Sequence, residues 1–359
     1  MPREVGTNRE GRPAGGDGRL LAFALAALGL AVGISCKREQ RPAAVSAVVG
    51  ATAEKNVVLK SSRGLPATWP GVAKSCASLP ATCGSAGNDS CCRSLRVPGG
   101  TFMRTYDGVD FLDGSAPATV SDFYLDKYEI TVARLRAFVD AGLGTRSSPP
   151  AEGAGAHPRI RGSGWSSAWN GKLAPTTAAL KAALKCHEAY QSWTDAPGPN
   201  ERKPVNCVDW FTAFAFCAWD GGRLATEAEW NYAAAGGDEQ RYYPWSSPAN
   251  STRIDDTYAV YCGGTCRLQD VGSRSPKGDG RWGQSDLGGN VWEWTLDWSR
   301  DTYPLPCLDC AAMNGGIYRN FRSGSNDDIA ATLRSSVRHV YYPEYHGVVG
   351  SRCVRDTGS

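Results

Sequence analysis

The stretch Cys217-Ala-Trp-Asp-Gly-Gly-Arg-Leu-Ala-Thr-Glu-Ala-Glu-Trp230 is where the reading of this chain turns. It closes one helix and opens another within fourteen residues. Upstream, Asp209 is placed to cap a helix in which Trp210, Ala213, Phe214, Cys217 and Ala218 recur at i, i+3, i+4, i+7 and i+8. Gly221 and Gly222 then let the chain leave that helix through positive φ. Thr226-Glu-Ala-Glu229 is a capping box, so a second helix starts there with Trp230 and Ala233 facing inward. Between the two, the guanidinium of Arg223 can reach Glu227, Glu229 or a backbone carbonyl.

Working outward, Thr131 caps a third helical pattern through Val132, Leu135, Phe138 and Val139 that stops at Gly142. Residues 177 to 193 carry a fourth, through Leu180, Leu184 and either Tyr190 or Cys186, and residues 149 to 171 read as an irregular surface loop. Downstream of Trp230 the chain is loop punctuated by glycine and aromatics, with short strands. Composition agrees: 42 glycines, 21 prolines and 12 tryptophans in 359 residues favour a loop-rich globule pinned by large aromatic anchors. A net charge of +3 without a dense basic stripe points away from nucleic acid as a partner.

Five ordered segments resemble one family: Val97 to Met103, Phe123 to Thr131, Pro204 to Trp210 continuing to Trp230, Asp286-Leu-Gly-Gly-Asn-Val-Trp-Glu-Trp294, and Arg322-Ser-Gly-Ser325 leading to Gly350-Ser-Arg-Cys353. Together they look like the formylglycine-generating-enzyme, or sulfatase-modifying-factor, domain over residues 96–356. The resemblance implies a single loop-rich α+β domain related to C-type lectins, and a disulfide between Cys217 and Cys353. It also implies a structural calcium ion at the Asp286 turn, with Asp286 and Glu293 contributing side chains and Gly289 and Val291 contributing carbonyls. That donor set is hard oxygen throughout, which Ca²⁺ takes. A second calcium site of the family has no counterpart, because the loop from Ala249 to Arg267 is rebuilt around Cys262 and Cys266.

One departure governs the functional expectation. Oxidase members of the family carry two cysteines after the Gly-Gly-Ser element, soft ligands suited to Cu(I). Here that segment reads Ser325-Asn-Asp-Asp-Ile-Ala-Ala-Thr-Leu-Arg-Ser-Ser-Val-Arg338 and holds no thiol. The non-heme iron branch draws its histidines largely from an extra helical domain, and the four histidines of this chain spell no facial triad. Copper and iron are therefore not expected, and no catalytic residue is assigned. The expectation is a non-catalytic module binding a protein or small ligand in a cleft lined by Asn326, Asp328, Arg334, Arg338, His339 and Tyr341. An oxidoreductase of the formylglycine-generating or non-heme iron type is the alternative.

The N-terminus supplies the setting. The apolar run Leu20 to Ile34, followed by Ser35-Cys36, resembles a signal peptide ending in a lipobox, so residues 1–36 direct export and Cys36 becomes the lipidated anchor of a bacterial envelope protein, in the periplasm or at the cell surface. An ordinary cleaved signal peptide is the other reading. Of thirteen cysteines, setting Cys36 aside leaves twelve (13 − 1), enough for six disulfides in an oxidising compartment. Residues 37–74 read as a flexible tether, and residues 75–95, with Cys76, Cys83, Cys91 and Cys92, as a disulfide collar or a metal knuckle. Cys262 with Cys266 and Cys307 with Cys310 are open to short-range pairing.

Overall fold

A computed structural model describes residues 65–358. The signal-peptide reading, the lipidation of Cys36 and the first part of the tether lie outside those residues. Two four-stranded sheets and a hairpin organise the rest. In the first sheet, β1 (Ser94–Val97), β4 (Phe123–Asp126), β10 (Cys353–Asp356) and β5 (Arg223–Leu224) run in the order β1-β4-β10-β5, every pair antiparallel. The hairpin joins β2 (Gly100–Met103) to β3 (Pro117–Val120). In the second sheet, β8 (His339–Tyr341), β7 (Arg319–Arg322), β6 (Trp292–Trp298) and β9 (Val349–Gly350) run in the order β8-β7-β6-β9, with β9 parallel to β6. The architecture is α+β, and much of it is loop.

The described residues form four α-helices, and a side-chain cap opens each of them. Thr131 accepts from the amide of Arg134 to open α1 (Val132–Asp140), and Asp209 accepts from Thr212 to open α3 (Trp210–Trp219). At α4 (Glu227–Ala234) the capping box closes in both directions, Thr226 Oγ1 taking the Glu229 amide at 3.1 Å and Glu229 taking the Thr226 amide at 2.9 Å. Such a cap satisfies donors that would otherwise be orphaned, a contribution of about 1 kcal/mol. Gly221 leaves α3 at φ +83, as expected, whereas Gly222 is needed for a different reason: a Cβ there would stand 2.4 Å from the carbonyl of Val354.

Three expectations change. The helix read over 177–193 is only α2 (Thr177–Ala183), because the chain must turn after Leu184 to carry Cys186 to Cys207 and to bury Trp193 beneath Arg136, 4.5 Å away. The loop over 149–171 is irregular but not merely superficial. Helix α3 is apolar all round, and the loop supplies Trp165 and Trp169 to cover its outer face against Phe214 and Trp210. Finally, the tether ends before residue 74. The Trp69 amide donates to Ser94, the Arg96 amide donates to Ala67, and the Tyr124 hydroxyl donates to Pro66, so residues 66–69 already lie along β1.

Every cysteine in the described residues is paired. Cys217–Cys353 ties α3 to β10 across 136 residues, Cys262–Cys266 and Cys307–Cys310 close short loops, and Cys186–Cys207 joins the chain after α2 to the entry of α3. The collar is the disulfide version, with Cys76–Cys92 and Cys83–Cys91. It is fastened to the domain by charge. Arg134 of α1, wholly buried, reaches Ser75, the Cys91 carbonyl, Asp126 and Asp220, while the Ser75 amide donates to Asp220 at 2.7 Å.

Candidate functional site

The turn from Asp286 to Val291 hangs between the sheets on backbone contacts that only its sequence permits. Asp286 and Asn290 sit at positive φ, and Gly289 does so with no room to spare, since a Cβ would lie 2.4 Å from the Val260 carbonyl. The Gly289 amide donates to the Ser323 carbonyl at 2.9 Å, and the Ser323 hydroxyl donates back to the Gly289 carbonyl at 3.1 Å. Asp286 accepts from the Gly272 amide, and burial pushes its carboxyl up to about 6.

Glu293, expected beside it as a ligand, has a different occupation. Both of its oxygens are taken by Arg352, at 2.7 to 3.0 Å, and one also receives the Trp230 indole N–H at 2.8 Å. All three side chains are buried, and a buried glutamate clasped by a guanidinium is electrically complete. The acid left without a partner is Glu129, the residue before the strand-to-helix turn at α1. Its Oε1 is buried and accepts nothing, and its Oε2 has only a long 3.4 Å contact from the Asn290 amide nitrogen. Burial, and then the charge of Asp286, raise its carboxyl well above the usual range.

Two buried carboxyls that repel each other, one with an orphaned oxygen, form a place that suits a hard cation. Among the described residues no three His, Cys, Asp or Glu side chains stand together as a metal set, so a cation here must draw on backbone oxygens as well. Glu129 and Asp286 with the carbonyls of Gly289 and Val291 would be its donors. Glu129 was within one of the matching segments of sequence, but nothing in its local pattern distinguishes it from any glutamate before a helix.

The residues expected to line one cleft engage separate partners. Asn326 is buried, its amide donating to the Asn290 carbonyl while its side-chain oxygen goes unpaired. Asp328 is consumed locally by the amide and hydroxyl of Ser325. Arg334 turns to Asp110 and lies 4.9 Å from the ring of Phe111. Arg338 lies 4.5 Å over Tyr303 and donates to the Arg300 carbonyl. His339 and Tyr341 sit on β8, both exposed. The segment between them is anchored. Leu333, Ser335 and Ser336 are buried, the Ser336 hydroxyl donates to Asp107, and Arg322 donates to the carbonyls of residues 335 to 337.

A charged cluster under that segment went unnoticed in sequence. Glu227 Oε1 receives the Tyr303 hydroxyl at 3.0 Å and the Arg322 guanidinium, and the Tyr303 ring lies between the guanidiniums of Arg104 at 4.3 Å and Arg338 at 4.5 Å. Beside it, Asp297 accepts from the amides of Glu227 and Ala312, and burial, with the charge of Glu227, pushes its carboxyl up to about 7. The histidines are dispersed: His157 stands 3.5 Å from Glu229, His187 stacks on Tyr190, His339 stacks on Phe321, and His346 faces the Cys207 carbonyl.

Residues 81–357 match the sulfatase-modifying factor enzyme 1-like domain. The formylglycine-generating enzyme of Thermomonospora curvata is 30% identical over 298 residues, covering 73% of this chain and 93% of that protein. The inactive C-alpha-formylglycine-generating enzyme 2 of Mus musculus is 29% identical over 249 residues, covering 64% and 76% respectively. Among solved structures, PvdO from Pseudomonas aeruginosa superposes with a TM-score of 0.51 at 21% identity, over 74% of this chain and 94% of that one.

Proposed function

The chain belongs to the sulfatase-modifying factor enzyme 1-like family, and from that premise we propose that it is a non-catalytic binding module of the bacterial cell envelope, anchored by a lipid on Cys36 and stabilised by calcium. The observation that carries the reading is the state of the sulfurs. Every described cysteine is committed to a disulfide, Cys353 to Cys217, so the segment from Ser325 to Arg338 has no thiolate beside it. Oxidation at a substrate thiol needs a soft centre on which sulfur and oxygen meet, and hydroxyls and carboxylates do not hold one. Six disulfides in one compact domain support an oxidising compartment, in keeping with export.

Calcium is proposed at Glu129 and Asp286, with Glu293 behind them as the partner of Arg352. When bound, the ion would neutralise two acids that the protein leaves uncompensated, holding the turn that connects the two sheets.

The similarity to formylglycine-generating enzymes keeps an oxidoreductase as the alternative, and one experiment separates the two. A Cys-x-Pro-x-Arg peptide is incubated with copper-loaded protein and followed by mass spectrometry. The expected result is an unchanged peptide. Aldehyde formation that persists in Cys353→Ser protein would overturn the non-catalytic reading, and aldehyde formation abolished by that substitution would make Cys353 catalytic.

A further inference from the structure

One end of the second sheet carries a run of tyrosines that packing does not explain. Tyr341 and Tyr342 are 42% and 51% exposed. The Tyr342 ring is 4.7 Å from that of Tyr318, their hydroxyls 3.3 Å apart, and Tyr341 lies 5.9 Å from Tyr342 and 4.1 Å from Tyr345. His339, two residues from Tyr341, is also exposed. Tyr318 and Tyr345 are half-buried, and exposed rings seated on such neighbours are the kind of surface that marks a binding site.

The platform is held from beneath. His339 stacks on Phe321 at 5.3 Å and faces Trp292 at 5.7 Å, both of them buried. The turn bearing Tyr342 and Tyr345 is closed by the Tyr345 amide on the Tyr342 carbonyl, and the Pro343 carbonyl accepts from the first amide of α3. Rings fixed in this way lose little freedom when a ligand arrives.

The neighbouring charges are satisfied within the protein. Glu344 pairs with Lys172 at 2.7 Å, Arg338 donates to the Arg300 carbonyl, and His346 faces the Cys207 carbonyl. Asp328, whose charge reaches Tyr345, is held by the amide and hydroxyl of Ser325, and what faces solvent is ring faces rimmed by hydroxyls, with the His339 imidazole at one edge. We propose that this surface binds a neutral polysaccharide, the C–H faces of successive pyranose rings lying on the tyrosines and the sugar hydroxyls meeting the phenols. A ring face is electron-rich and a sugar C–H is weakly positive, so the two attract, whereas an anionic ligand would meet those electron-rich faces and the charge of Asp328. The run is open rather than recessed, which suits a chain passing across it better than a single sugar or an anchoring side chain.

This inference rests on the binding-module reading and gives it a ligand class. Its test is affinity electrophoresis of the full-length protein through native gels containing soluble β-glucan, mannan or dextran, with an insoluble neutral glucan as a pull-down arm. Retardation or co-sedimentation is expected, weakened about tenfold or more for Tyr341→Ala/Tyr342→Ala and largely kept by the double Phe variant, since the ring faces remain. If the double alanine variant misfolds, Tyr342→Trp replaces it, and its fluorescence should change on adding the retarding glycan. Wild-type migration unaffected by every glycan, or an alanine variant retained as strongly as wild type, overturns the proposal. The peptide-oxidation assay runs in parallel: aldehyde formation together with glycan binding sinks only the non-catalytic reading, and neither activity sinks only this surface.

Discussion

Glu229 and Glu129 are both glutamates at the start of a helix region, both buried, and they are treated oppositely by the fold. Burial acts to raise the Glu229 carboxyl, but the two-pronged grip of Arg223 at 2.7 and 2.8 Å more than reverses it and holds the group well below the usual range. At Glu129 burial acts in the same direction, no guanidinium grips either oxygen, and the nearby charge of Asp286 adds to the rise. Depth is the same in both places. The difference is the partner: a guanidinium matches the first acid, and none grips the second.

The most drastic way to break the comparison is to remove the guanidinium. Arg223→Leu should cost about 3–5 kcal/mol in urea denaturation, because it leaves a buried charge unmatched, and Arg223→Leu/Glu229→Met should recover most of that loss apart from the capping box. A single variant as stable as wild type would mean that the pair does not compensate the charge. Less drastic is to supply the calcium proposed for Glu129 and Asp286. Calcium at about a hundred times its dissociation constant should add about 2.7 kcal/mol, raising the melting temperature relative to chelator. Glu129→Gln should abolish that shift and be no less stable than wild type in chelator, whereas Glu293→Gln should be destabilised with and without calcium. Identical melting of wild type in both buffers would leave Glu129 a mere buried acid.

The finest test uses pH on Asp297, another buried acid pushed upward, to about 7. A carboxyl whose folded value lies above its unfolded one stabilises the protein fully below the unfolded value and loses that stabilisation as pH rises through the folded value. Between about pH 4 and 7 Asp297 should therefore contribute a loss of up to about 1.4 kcal/mol per pH unit. Glu229 runs the other way, its stabilisation being lost only as pH falls through its depressed value. Asp297→Asn should flatten the stability profile between pH 5 and 7, while an unchanged profile would show that the carboxyl titrates normally.

Local chemistry was legible wherever a short pattern has a single structural outcome. The caps at Thr131, Asp209 and Thr226 opened helices as read, and Arg223 found Glu229 among its open partners. Reading failed where the deciding neighbour was distant. The pattern after Leu184 continues on paper, but Cys186 is needed by Cys207. Glu293 has the right chemistry for a calcium ligand, but an arginine 59 residues away occupies it. The segment of the proposed cleft is pinned by serines and a leucine whose burial no periodicity announces.

What the sequence by itself determined is therefore the family, the helix starts and the absence of thiols between Ser325 and Arg338, because each is a property of a contiguous stretch. What only the tertiary structure decided is which buried acid has a counter-charge and which aromatic rings face water. Glu129 and Glu229 are alike in sequence, and so are Tyr341 and the buried Tyr124; electrostatic compensation and exposure are settled by chain segments folded in from far away, through interactions that no local pattern encodes.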